Sequence, residues 1–166
     1  MSSVNKYLPH VYVIPEDDAD RQIANGFVLH DQVRSTQIQV LPCTGGWSSV
    51  LEKFATEYVT HLRNHKNSYV IMLVDFDLEY ETRRKHFEEK VPDDLKNRVF
   101  VVGPKDEPEV LRQELGSSYE DIGESLAEDC FKGTVAVWDH DHLNHNHPDL
   151  QRMLQAVRPI LFPNQK

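Results

Sequence analysis

Two aspartates one residue apart, Asp75 and Asp77, close an apolar run that begins at Tyr69. Val70 to Val74 are five consecutive apolar residues, rich in β-branched types and too short for an ordinary helix. That pattern predicts a strand buried on both faces, as in a parallel sheet. In open parallel α/β sheets ligands bind beyond the carboxyl ends of the strands, where these two acids fall. Side chains repeat with period two along a strand, so both carboxylates are expected on one side. At 4–5 Å and an effective dielectric of 20 they repel by about 4 kcal/mol, enough to favour a bound divalent cation or a raised pKa. Hard carboxylate oxygens suit magnesium or manganese. The plainer alternative is that Asp77 caps the helix that follows.

A second concentration of chemistry lies between Asp139 and His147, with four histidines, His140, His142, His145 and His147, beside Asp139 and Asp141. Imidazole and carboxylate suit zinc, nickel or manganese. The segment has no hydrophobic periodicity, so it is expected as an exposed loop of solvated histidines, with contacts to a substrate phosphate as the alternative. Arg83, Arg84, Lys85 and His86 form the one local basic patch, placed to meet a nucleic-acid backbone or simply to solvate a helix face. Asp17, Asp18 and Asp20 read as helix-capping acids.

The 166 residues are expected as one domain, and a charged share of 27% beside a hydrophobic share of 39% is that of a globular protein. Met1 to His10 lacks the apolar run of a leader, and no stretch reaches the roughly 18 apolar residues of a membrane span, so a cytoplasmic protein is expected. Cys43 and Cys130 read as reduced thiols. A formal charge of −9 excludes a broad basic face that grips nucleic acid unaided.

Elements must now position these groups. Strands are expected at His10 to Ile14, Gln37 to Leu41, Val70 to Val74 and Arg98 to Val102, with Thr134 to Trp138 as a short fifth strand or an extended run. Helices are expected at Asp20 to Asp31 with Ile23, Phe27 and Val28 inward, then at Ser48 to Asn64, Glu79 to Lys90, Pro108 to Leu115, Tyr119 to Phe131 and Asp149 to Leu161. The alternation predicts an α/β fold with a mainly parallel sheet of four or five strands. Its core spans about residues 10–115, with a helical extension carrying the histidines over about 116–166.

This order resembles the Toprim domain, in the form attached to OLD-family nucleases and related small bacterial proteins. That family places a glutamate after its first strand, a Gly-Gly loop after its second, an Asp-x-Asp pair after its third and acids after its fourth. Glu16, Gly45 and Gly46, Asp75 and Asp77, and the run Asp106, Glu107 and Glu109 stand at those positions. Asp17 stands where the family usually has a glycine, and Trp47 and Ser48 where it often has a lysine.

The resemblance implies a Rossmann-like sheet of order 2-1-3-4, which sets Glu16 about 5 Å from the aspartate pair. It implies that Glu16, Asp75 and Asp77 hold Mg2+ or Mn2+ for phosphodiester cleavage, with Glu16 as metal ligand or general acid or base. Asp106 and Glu109 are candidates for a second metal position, or acids serving a helix dipole. Gly45 and Gly46 are candidates for phosphate contact, or turn residues that need positive φ. Arg83 and Arg84 are further phosphate candidates. The partner expected is nucleic acid, DNA in the first place. There is no Gly-x-x-x-x-Gly-Lys-Ser/Thr loop, so an ATP-driven step needs a separate ATPase partner; a homodimer stays open. The alternative is a catalytically silent Toprim-like subunit of a larger assembly, which the charge and the missing glycine favour. An aspartate-nucleophile phosphatase ranks lower, since that motif belongs on a first strand and precedes Thr or Ser, here Leu78.

Overall fold

The computed structural model describes residues 8–164. The leader-free start read from the sequence lies mostly outside that range. Four strands, β1 (His10–Pro15), β2 (Ile38–Val40), β3 (Ser68–Leu73) and β4 (Val99–Val102), form one all-parallel sheet of order β2-β1-β3-β4. This is a Rossmann-like α/β arrangement, with the strand order expected.

Period-two alternation divides the core. Val11 and Val13 enter one layer with Phe100, while Tyr12 and Ile14 enter the other with Val70, Met72, Val99 and Val101. The first layer is roofed by α1 (Asp18–Leu29), α6 (Tyr119–Lys132) and α7 (His147–Leu161). The second is roofed by α2 (Trp47–Lys53), α3 (Val59–Asn64) and α4 (Tyr80–Lys90), and α5 (Pro108–Leu115) follows β4. Residues after 116, expected as an extension, therefore supply much of one face of the core. Both faces of β1 are covered, and all six of its residues are buried.

Helix α1 crosses α6 at glycines. A Cβ on Gly26 would lie 2.0 Å from the Glu120 carbonyl oxygen, and one on Gly123 would lie 1.9 Å from that of Ile23. That close approach fixes the helix that carries the first-turn acids.

Two expectations are corrected. Thr134 to Trp138 is a turn, and the sheet stops at four strands. The buried Asp129 carboxylate accepts the N–H groups of Ala136, Val137 and Trp138 at 3.2, 2.7 and 3.3 Å, and the Thr134 hydroxyl at 2.7 Å. Amides gathered on one carboxylate cannot feed a ladder. The helix expected over Ser48 to Asn64 is interrupted by a π-helical turn, Phe54–Tyr58, between α2 and α3.

Candidate metal centre

The register pairs Pro15 with Leu73, so β1 and β3 end side by side and release Glu16 and Asp75 into the same crevice. The Glu16 N–H donates to the Leu73 carbonyl at 2.9 Å, and the Asp75 N–H donates to Glu16 Oε1 at 3.2 Å. Asp17 is the N-cap of α1, accepting the Asp20 N–H at 3.0 Å. Among the described residues, Glu16, Asp17 and Asp75 bring ligand oxygens within 4.8 Å of one another.

The first turn of α1 adds a fourth acid. Asp20 is 0% exposed and Asp75 4%. Both Asp20 oxygens and Oδ1 of Asp75 are buried without a hydrogen-bond partner. Burial, then the charges of Asp75 and Asp17, hold the Asp20 carboxyl well above its ordinary range. Burial above all pushes Asp75 up to about 9, against the lowering effect of its side-chain contact with Asp20 and with Asp17 and Glu16 adding to the rise. Glu16 is raised to about 7, again chiefly by burial, against the lowering effect of its bond from the Asp75 N–H. Two buried carboxyl groups with no donor between them need a shared proton or a cation. The donors are all carboxylate oxygens, which fits a hard divalent ion such as Mg2+ or Mn2+.

Asp77 is placed differently from the expectation. Strand β3 stops at Leu73, so period two does not extend to it, and the chain turns through Asp77 (φ 48°) and Leu78 (φ 63°). Its Oδ2 accepts from Arg83 Nη1 at 2.6 Å. The same guanidinium donates to the Asp75 carbonyl at 2.9 Å and to Glu79 at 3.3 Å, and lies over the Trp47 ring. Asp77 therefore lines the rim outside the trio, near enough for its charge to raise Glu16.

The remaining candidates separate. Asp106 is half-buried and Glu109 exposed, and neither belongs to the trio. The charge of Glu109 acts on Tyr119, whose hydroxyl is raised first by burial and next by this carboxylate. Gly45 donates its N–H to the Glu16 carbonyl at 2.8 Å and has φ 94°, so positive φ accounts for its glycine. Arg83 is buried. Arg84 turns away to Asp149 on α7, at 3.2 and 3.1 Å, and pairs with Glu88. The basic patch is thus largely structural, and only Lys85 and His86 of it are exposed.

The histidine segment is not an exposed loop, which corrects the expectation. It folds over the end of β4, where the Asn146 side chain accepts the Gly103 N–H at 3.1 Å and donates to the Gly103 carbonyl at 3.0 Å. His145 Nε2 reaches that carbonyl at 2.8 Å, and its ring packs edge-on against Phe76 and Tyr80. Burial lowers His145 to about 4. The His142 carbonyl accepts the Lys105 N–H, while the carbonyls of Pro104 and Lys105 accept the N–H groups of Phe76 and Leu78. A continuous chain of hydrogen bonds thus runs from the histidine segment to the turn that carries Asp75 and Asp77.

His140 and His142 both face Glu114, with His142 Nε2 2.5 Å from its carboxylate. His140 Nδ1 accepts the His142 N–H at 3.1 Å, so His140 carries its proton on Nε2, toward Glu114. The two rings converge on the Glu114 carboxylate, His142 in close contact and His140 3.8 Å away.

No protein-family model matches the chain, and no curated protein matches it. Among the described residues no helix is long and apolar enough to cross a membrane.

Proposed function

We propose that the chain is a metal-dependent enzyme that cleaves phosphodiester bonds in nucleic acid, with Glu16, Asp17, Asp20 and Asp75 as the ligand set for Mg2+ or Mn2+. The observation that carries this reading is the burial of Asp20 against Asp75 at the carboxyl end of a parallel sheet, with three oxygens lacking any partner. An acid pair of that kind has no stabilising role in the core unless a cation or a shared proton joins it.

When bound, such a cation polarises a phosphodiester oxygen and acidifies a coordinated water. The chain's own groups do the rest. Asp20 and Asp75 are buried and would hold the ion. Glu16, raised to about 7 in the cation-free crevice, would give up its proton near neutrality on joining the ligand set. Arg83 holds the Asp75 carbonyl and Asp77 and so orients the turn. The Toprim resemblance supports the same chemistry, with DNA as the first substrate to try, a separate ATPase as a partner, and a cytoplasmic setting.

The second reading is a silent subunit of a nucleic-acid or defence assembly. It is favoured by the engagement of Asp77, Arg83 and Arg84 in internal pairs, which leaves few cations near the crevice to meet a phosphate backbone. Incubating supercoiled DNA with the protein and Mn2+, beside the Asp75→Ala variant, separates them. Cleavage by the wild type alone supports the enzyme, and no cleavage by either supports the subunit.

A further inference from the structure

At the other end of the sheet from the acids lies a cluster of rings that the acidic crevice does not use. His10 opens β1 and Glu16 follows its end, so about 20 Å of extended strand separates the two places. His10 is 4% exposed, and its Nε2 is buried without a hydrogen-bond partner. His61, on α3, also buries an unpartnered Nε2. Tyr12 packs against both rings, 4.6 Å from His10 and 5.0 Å edge-on from His61. His65, the C-cap of α3 and one helical turn beyond His61, packs tilted against it with centroids 4.3 Å apart. Tyr58, the last residue of the π-helical turn, closes the cluster 5.4 Å from Tyr12 and 5.8 Å from His61. Turns of this type recur at functional sites because they re-aim the side chains that follow.

We propose that His10, His61 and His65 form a second metal site, selective for a borderline transition cation of the zinc, nickel or copper class. The donors are imidazoles, which such ions prefer and Mg2+ does not. Both buried nitrogens lack a partner, and an ion held between β1 and α3 would supply one to each. The nitrogens of the three imidazoles do not all lie within 4.8 Å of one another, so the site closes only when a side chain turns. His65, half-buried at the end of its helix, completes the set by rotating its side chain from its contact with His61.

The test is calorimetric titration of Zn2+ into chelator-treated full-length protein in excess Mg2+, together with 15N NMR of the histidine side chains. One zinc ion per chain should bind, and the Nε2 resonances of His10 and His61 should shift. His61→Ala/His65→Ala should weaken that site by about tenfold or more. Asp75→Asn and His140→Ala/His142→Ala should keep it. Zinc binding unchanged in His61→Ala/His65→Ala overturns the site. So does a wild-type spectrum in which only His140, His142, His145 or His147 respond, a readout that needs no variant to fold.

Discussion

The backbone N–H of Asp75 donates to Oε1 of Glu16 across 3.2 Å, joining residues 59 apart in sequence at the ends of two adjacent parallel strands. That bond ties the geometry of the crevice to the register of the sheet. It also orients Glu16 with one carboxylate oxygen held by the backbone.

Replacing Asp20 by asparagine should raise stability in the absence of metal and weaken metal binding. The amide gives Asp75 a donor and removes a buried acid, a gain of about 1–3 kcal/mol. Thermal unfolding with and without Mn2+ checks both parts. The metal-free midpoint should rise by several degrees, and the increment due to Mn2+ should shrink.

Asp77→Asn should disturb metal affinity less than Asp75→Asn. Asp77 is spent on Arg83 and stands outside the trio, whereas Asp75 has a buried, unpartnered oxygen among the ligands. Calorimetry should show a loss of about tenfold to a hundredfold for Asp75→Asn and a clearly smaller one for Asp77→Asn.

Without metal, stability should fall as pH rises from about 4 to 9, more shallowly below about 6.5, where His145 offsets one of the two acids. Glu16 and Asp75 have folded pKa values of about 7 and about 9, above the ordinary 4.5 and 3.8. The native state therefore binds more protons than the unfolded chain, and stability falls as pH rises from about 4 through 9. His145 works in the opposite sense, with a folded value of about 4 against 6.5, so stability is lost as pH falls through that window. Urea midpoints across pH 4 to 9 check the shape, and Mg2+ should stabilise increasingly toward the alkaline end, where it no longer competes with protons.

Asn146→Ala should be among the more damaging single changes outside the crevice. It leaves the N–H of Gly103 without its partner and removes one of the two donors to its carbonyl. Equilibrium unfolding should report a loss of about 2–4 kcal/mol. Metal affinity should fall with it, because Gly103 begins the segment that hydrogen-bonds the Asp75–Asp77 turn.

Strands β1, β3 and β4 are legible as short apolar runs and β2 as an Ile-Gln-Val alternation, and Asp75 is legible because it ends a run. Asp20 was read as a helix-capping acid, yet a signal was present. The inward positions Ile23, Ala24 and Phe27, extended back by one helical turn, fall on Asp20, so the apolar stripe of α1 begins with a carboxylate. Asp77 departs from the period-two expectation because β3 ends at Leu73, before the alternation reaches it. The turn at Thr134 to Trp138 depends on Asp129, a nearby acid at the end of α6 that gives no periodic signal, and the packing of His145 depends on Gly103, a partner set by tertiary contact.

The central claim is that Glu16, Asp17, Asp20 and Asp75 share a hard cation. Titration of Mn2+ into metal-free wild-type protein, with Asp75→Ala in parallel, tests it most directly. Saturable binding of the ion to the wild type, abolished or weakened by at least about tenfold in the variant, is the predicted result. Equal binding by both proteins, or none by the wild type, would contradict it.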